Sequence, residues 1–336
     1  MQAIVFNGLG RPLQPASLPD PVPGADEVLV EVCRCGICGS DLHMTHDPAF
    51  AIAPGAVLGH EYSGRVVECG RQVKGLKVGD AVTVAPLRGC GHCPACQRGE
   101  PAWCAAFQLQ GGGFAQLASA RAHQCVVLPA ATGLADSALA EPLAVALHGV
   151  MRANLRPGAR VLILGAGAIG LAVAFWTRRL GAARVAITDL GDWQRERAMG
   201  LGASAFLVDQ PGLGTHIDHC LGGPPDIVFE CVGRPGLIAN AVDYVRPRGT
   251  VVVLGLCTVA DRFMPFRAVS KEINLVTSAF FSLDEFQAAL NALEGPGAVP
   301  LSLISQTVSL AQMPEAFEHL RQRTHQCKVM VAPQTS

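Results

Sequence analysis

The sequence predicts an α/β protein of two domains: an all-β module first, then a parallel sheet covered by helices on both faces. Three observations predict it. The chain has 336 residues, about two domains at ~150 residues each. Its first 120 residues hold short β-rich runs punctuated by proline and glycine. Beyond residue 160, short fully apolar runs alternate with helical stretches, the pattern of strands buried on both faces.

In the β module, 27–33 (EVLVEVC), 63–69 (SGRVVEC) and 81–85 (AVTVA) read as strands of a partly closed barrel. A helix over 139–153 follows and stops at Arg156-Pro157-Gly158. Then come strand 160–164 (RVLIL), helix 168–180, strand 184–188 (RVAIT) and a polar helix over 193–201 ended by Gly202. Runs 205–208, 226–230, 250–254 and 273–277 read as further buried strands, with a helix at 237–245 among them. Helices over 283–293 and 313–321 and a strand at 328–331 close the chain. The apolar set makes up 50% of the chain and charged residues 16%, against ~25% charged in an average domain. Disorder, collagen and coiled coil are excluded on that basis. A net charge of −1 gives no footprint for nucleic acid or a membrane surface. Residues 1–8 lack a basic and apolar leader pattern, and the apolar stretch 161–176 is glycine-interrupted and short of the ~20 residues of a membrane helix. A cytoplasmic, reducing location is the expectation, and there thirteen cysteines read as metal ligands sooner than disulfides.

Gly165-Ala166-Gly167-Ala168-Ile169-Gly170 follows the strand RVLIL and opens a helix. The first glycine permits the tight turn, the second lets backbone approach a pyrophosphate, and the third packs helix on strand. The anion would sit on the helix N-terminus. Asp189 ends the next strand, at the spacing of the acid that takes the ribose 2′-hydroxyl. A carboxylate there disfavours a 2′-phosphate, so NAD is expected over NADP, with Arg195 and Arg197 nearby arguing the other way.

Cys90, Cys93, Cys96 and Cys104 occupy one turn-rich loop (GCGHCPACQRGEPAWC). Four close thiolates make a closed tetrahedral zinc site that braces the loop. An iron–sulfur run is disfavoured by the fourth spacing and by Pro94. A nucleic-acid-binding ribbon lacks basic flanks, since Glu100 offsets Arg98. A second, mixed set comes from Cys38 in G-I-C-G-S-D, from His60 and Glu61 in G-H-E, and from Glu141 in A-E-P-L. Three protein ligands plus an open position is the catalytic kind of zinc site.

On these residues the chain resembles the zinc-containing medium-chain alcohol dehydrogenases, over essentially its whole length. Gly59, His60, Glu61, Gly64, Gly70 and Val73 reproduce G-H-E-x2-G-x5-G-x2-V, and the cysteine lobe, G-A-G-A-I-G and E-P-L follow in the family's order. Cys38-Gly39-Ser40-Asp41 and Glu141-Pro142-Leu143 point to the sorbitol, butanediol and threonine dehydrogenase branch. The resemblance implies a GroES-like barrel domain at 1–145 and 280–336 and a Rossmann domain at 146–279. It implies two zincs per chain, NAD, and hydride transfer between an alcohol, expected to be secondary, and its ketone or aldehyde. Cys38 and His60 would hold the catalytic zinc, with Glu61 or Glu141 as third ligand and Asp41 orienting the imidazole. Ser40 would bond the substrate oxygen, and His43 would end the proton path, with His46 a weaker candidate. Val232, Leu254, Ser278 and Phe280 would face the coenzyme.

By the same resemblance Met44, Phe50, Phe107, Phe280 and Phe281 line the substrate site, with core packing as the alternative for each, and they lean toward an apolar alcohol, with polyol, butanediol and threonine oxidation as alternatives. The short stretch between Cys104 and Gly111 argues in the same direction. A zinc-free quinone or enoyl reductase would lack both donor sets, and a non-catalytic NAD-binding protein would not need them. The family also implies a homodimer or homotetramer, with 250–254 and 262–267 (RFMPFR) as the candidate contact.

Overall fold

The computed structural model describes residues 1–295, 299–322 and 325–335. The chain divides into two compact units, Met1–Glu141 with Phe281–Ser336, and Pro142–Phe280.

The first unit is built on a sheet whose spatial order is Ile304–Ser309, Lys328–Ala332, Glu27–Gly36, Glu61–Cys69, Ala81–Val84 and Cys125–Val127. Only its first pair is parallel. Glu27–Gly36 is the central strand, and one of its sides is shared. Residues 27–31 pair with Leu117–Arg121, while Cys35 and Gly36 pair with Val331 and Met330. This change of neighbour curls the sheet into a partly closed barrel. Val28, Val30 and Val32 point into its core beside Tyr62, Val66, Val82 and Phe114. Strands 27–36 and 61–69 both run past their expected ends. The extra residues pair Cys35 with Tyr62 and Gly36 with Glu61. Cys-Gly and Glu carry little β-propensity, so partner strands and not local preference set these ends.

The second unit is a six-stranded parallel sheet in the order Ala205–Val208, Arg184–Asp189, Arg160–Leu164, Ile227–Glu230, Thr250–Val253, Asn274–Thr277. The chain runs outward from 160–164 to 205–208, then returns to the other side of 160–164. The switch point therefore lies between 160–164 and 227–230, where sheets of this kind bind ligands at the carboxyl ends of their strands. A helix at Leu213–Leu221, missing from the sequence reading, buries Leu213, Ile217 and Leu221. That i, i+4, i+8 stripe was its signal, diluted by two histidines and flanking glycines.

Two expectations are corrected here. Asn274–Thr277 is not a buried strand: Asn274, Leu275 and Thr277 are exposed, because the strand forms one edge of the sheet. Thr250–Val253 is not available for pairing with another chain, because strands on both sides already take its hydrogen bonds. Among the described residues no helix is long and apolar enough to cross a membrane.

Asp226 pins the entry of three strands. Its Oδ2 accepts from the Arg160 backbone N–H at 2.8 Å, its Oδ1 from Arg246 Nε at 2.6 Å, and its carbonyl from Thr250 N–H at 3.0 Å. Burial alone would raise its carboxyl, but the Arg160 N–H and the two guanidinium groups outweigh that and hold it below the usual range. Its contribution is therefore present above the unfolded carboxylate pKa and lost on acidification. Asp226→Asn should cost about 1–2 kcal/mol at pH 7, read as a lower urea midpoint, and the gap to the parent should close as pH falls below about 4.

Candidate metal centres and coenzyme loop

Cys38 and His60 are neighbours because of strand pairing. Cys38 caps the helix Gly39–Met44 just after strand 27–36 ends, and His60 immediately precedes strand 61–69, its antiparallel partner. Asp41 organises both. Its Oδ2 accepts from the Cys38 backbone N–H at 2.9 Å, and its Oδ1 lies 3.3 Å from His60 Nδ1 and 3.4 Å from the Gly59 N–H. Burial by itself would lower the imidazole pKa, but the Asp41 charge and hydrogen bond hold it well above the ordinary value. With Nδ1 tied to Asp41, Nε2 turns to the opposite side, where Ser40 Oγ stands 3.4 Å away. Donor atoms of Cys38, His60 and Glu61 lie within 4.8 Å of one another. One sulfur, one nitrogen and one oxygen at that spacing suit zinc.

Both Glu61 oxygens are 2.7 Å from Lys328 Nζ, which also donates to the Ile37 carbonyl at 3.1 Å. Lysine and glutamate are both buried. Gly36 makes the room: a Cβ there would fall 2.0 Å from Glu61 Oε2. Glu141 is buried as well but does not join the set of three. Burial, reinforced by the Glu61 charge and opposed by His60 and Lys328, raises its pKa to about 7. Lys328 escaped the sequence reading, although a lysine heading the apolar run KVMVA was its signal. Ser40 and His43 are three residues apart on one helix, so they share a face.

In the cysteine lobe the helix Pro94–Gln97 starts from Cys93 and the turn Pro101–Trp103 ends at Cys104. Donor atoms of Cys90, Cys93, Cys96 and Cys104 cluster within 4.8 Å. Backbone N–H groups of His92 and Cys93 lower Cys90 to about 6, and the Cys104 sulfur accepts from the N–H groups of Cys90 and Ala106. Gly89 leaves space for Cys96, whose sulfur would lie 2.5 Å from a Cβ there. Four sulfurs with backbone donors supporting the thiolate form fit a closed zinc site.

The glycine-rich turn has the geometry a pyrophosphate needs. Gly165 has φ +97°, and a Cβ at Gly170 would sit 1.9 Å from the Gly165 carbonyl. Gly167 caps the helix Ala168–Arg179 with no side chain over its first N–H groups. Asp189 braces the turn: Oδ2 accepts from the Ala166 N–H at 2.8 Å and Oδ1 from the Leu190 N–H at 2.7 Å. Arg195 donates to the Phe206 carbonyl at 2.9 Å and lies over the Phe206 ring, and Arg197 donates to Gln194. Both arginines are thus tied to their own fold. Val232 packs on Gly165, Leu254 donates to the Glu230 carbonyl, and Ser278 donates to the Val253 carbonyl while its buried Oγ has no partner. Phe280 has φ +60° at the end of this unit.

Three of the five residues expected at the substrate or in the core pack in or against the core. Met44 is in the barrel core, Phe50 packs against it, and Phe281 stacks on Phe286 with ring centroids 5.4 Å apart. An apolar residue in sequence does not distinguish lining from packing.

A closed sulfur site, an open mixed site and a dinucleotide turn define a zinc-dependent pyridine-nucleotide dehydrogenase. Residues 24–130 match the family model described as alcohol dehydrogenase GroES-like domain, and residues 168–295 the one described as zinc-binding dehydrogenase. The chain is 32% identical to the 2-dehydro-3-deoxy-L-galactonate 5-dehydrogenase of Pseudoalteromonas atlantica, over 92% of each chain. It is 30% identical to the sorbitol dehydrogenase of Bacillus subtilis, over 99% of this chain and 97% of the relative. A crystal structure of an Escherichia coli enzyme described as short chain alcohol dehydrogenase (rspB), complexed with NADH, superposes with a TM-score of 0.88 at 26% identity, covering 99% of both chains. The chain belongs to the zinc-dependent medium-chain alcohol dehydrogenase family. It is an oxidoreductase that interconverts an alcohol and its carbonyl compound by hydride transfer, with zinc and NAD as cofactors.

Cys93→Ser should reduce bound zinc from two per chain to one and lower the melting temperature, with elemental analysis and thermal unfolding as the measurements. Retention of both zincs would contradict the closed-site reading.

Proposed function

We propose that Cys38, His60 and Glu61 hold the catalytic zinc, with Glu141 as the adjoining acid, and that the substrate is a polyhydroxylated secondary alcohol. The observation carrying this is the donor triangle around His60, whose Nδ1 is committed to Asp41. When bound, zinc supplies a Lewis acid for the substrate oxygen and NAD supplies the hydride acceptor. The chain's own residues handle the proton. Ser40, beside His60 Nε2, accepts a hydrogen bond from the substrate hydroxyl and passes its proton toward His43 on the same helix face. Gly165, Ala166, Gly167, Ala168, Ile169 and Gly170 take the pyrophosphate and Asp189 the adenosine ribose. With Arg195 and Arg197 engaged elsewhere, no cation of that helix is left to favour a 2′-phosphate, which supports NAD over NADP.

The substrate class rests on two points. Met44, Phe50 and Phe281 pack in or against the core, which weakens the apolar lean of the sequence. The two relatives act on a sugar acid and a sugar alcohol. The first of these names also places the oxidation at carbon 5. Thirteen free cysteines are consistent with a reducing cytoplasm.

Cys38→Ser and His60→Ala should each lower kcat/KM at least ~10³-fold while NADH affinity stays within about twofold. A panel of polyols, sugar acids, simple diols and L-threonine, followed by NADH formation, tests the class. Turnover of simple diols alone would reject polyhydroxylated substrates.

The second copy of the chain is assigned to the free edge at Asn274–Thr277. Leu275 there is 42% exposed, and Met264, Phe266 and Val269 nearby in sequence are 61–73% exposed. Such a set of exposed apolar side chains marks an association surface, and an unpaired edge strand joins readily to its own copy. Leu275→Glu should shift the sedimenting species toward monomer. A parent protein that is already monomeric would refute the assignment.

A further inference from the structure

Glu230 ends the strand Ile227–Glu230 on the far side of the switch point and is 2% exposed. No lysine, arginine or histidine forms an ion pair with it among the described residues. Its partners are backbone groups. Oε1 accepts from the N–H of Val232 and of Gly233, each at 2.8 Å. Its carbonyl accepts from Leu254 N–H at 2.8 Å and Gly255 N–H at 2.9 Å. One residue thus ties together the loops that follow two adjacent strands.

The loops interlock with almost no free space. Gly233 has φ +75°, and a Cβ on it would lie 2.4 Å from the Leu256 carbonyl. A Cβ on Gly255 would lie 2.1 Å from the Gly233 nitrogen and 2.4 Å from Glu230 Oε2. Val232 in turn packs against Gly165, so the clamp reaches the glycine-rich turn. At the top of this assembly Val232 and Leu256 remain 40% exposed. A carboxylate buried among amide groups, with no counter-charge, costs desolvation energy. It is retained here where it sets the shape of two loops.

A dinucleotide lies across a switch point with its halves on opposite sides. Asp189 and the glycine-rich turn occupy the adenosine side, which leaves the loops after 227–230 and 250–253 for the nicotinamide half. We propose that Glu230 is a positioning residue for the nicotinamide half of NAD: it fixes residues 231–233 and 254–256 in the conformation that receives it. The inference rests on the NAD reading of the 165–189 region.

The test compares NADH and AMP as ligands of the zinc-loaded parent, Glu230→Ala and Glu230→Gln, by direct binding titration. AMP reports the adenosine side alone. Glu230→Ala should weaken NADH binding at least ~10-fold, the loss of two charge-assisted hydrogen bonds, and leave AMP within about twofold. Glu230→Gln keeps an oxygen that accepts both N–H groups and should restore NADH binding to within about threefold of the parent. Kinetically, the KM for NAD should rise in Glu230→Ala more than kcat falls. Unchanged NADH affinity in Glu230→Ala would overturn the proposal. Equal loss of AMP and NADH would also overturn it, because Glu230 would then support the whole sheet. Failure of the parent to bind AMP or NADH would overturn the coenzyme reading itself, and this inference with it.

Discussion

The ion pair between Glu61 and Lys328 is the constraint on which the metal end of the barrel depends. Lys328 opens one strand, Glu61 opens another, and the strand ending at Gly36 lies between them. The lysine reaches across that middle strand, takes the Ile37 carbonyl on the way, and closes on both carboxylate oxygens. Removing one partner from such a buried pair commonly costs about 3–5 kcal/mol, because the other charge is left uncompensated. The pair also fixes register. Glu61 must sit opposite Gly36, and that register delivers His60 to Cys38.

The two donor sets differ in how the local backbone would direct a metal held there. Four sulfurs within one short loop, with N–H groups from that loop supporting the thiolate, would close the coordination sphere of a zinc held there and leave no room for chemistry. The mixed set draws its donors from the ends of separate strands and a helix. Its histidine is aimed by Asp41, and a serine hydroxyl stands at its free nitrogen. A metal held by these three donors would leave a position open beside a proton-accepting hydroxyl, the arrangement alcohol oxidation requires.

In the second unit, carboxylates again do the aiming, here through backbone amides. Asp189 braces the glycine-rich turn on one side of the switch point, and Glu230 braces the loops on the other. Each acid terminates a strand, so the rigid sheet sets where its carboxylate lies and the carboxylate sets the loop. This makes glycine necessary at Gly165, Gly233 and Gly255, where any side chain would collide with the neighbouring loop.

The sequence by itself determined the family, the alternation of strand and helix, the four-cysteine set and the glycine-rich turn, and it left Glu61 and Glu141 as alternatives beside Cys38 and His60. The four-cysteine set and the glycine-rich turn rest on residue type at close spacing, which local chemistry dictates. Cys90 to Cys104 lie in a single loop, and Gly165 to Gly170 form one turn. Tertiary structure alone decided what depends on contacts between distant segments. Lys328 meets Glu61 across 267 residues. The edge position of Asn274–Thr277, the interior position of Thr250–Val253 and the packing of Met44, Phe50 and Phe281 follow from strand order and core shape. A hydrophobic run states that a segment is to be buried. Which neighbour buries it, and which edge stays open, is settled only when the sheet closes.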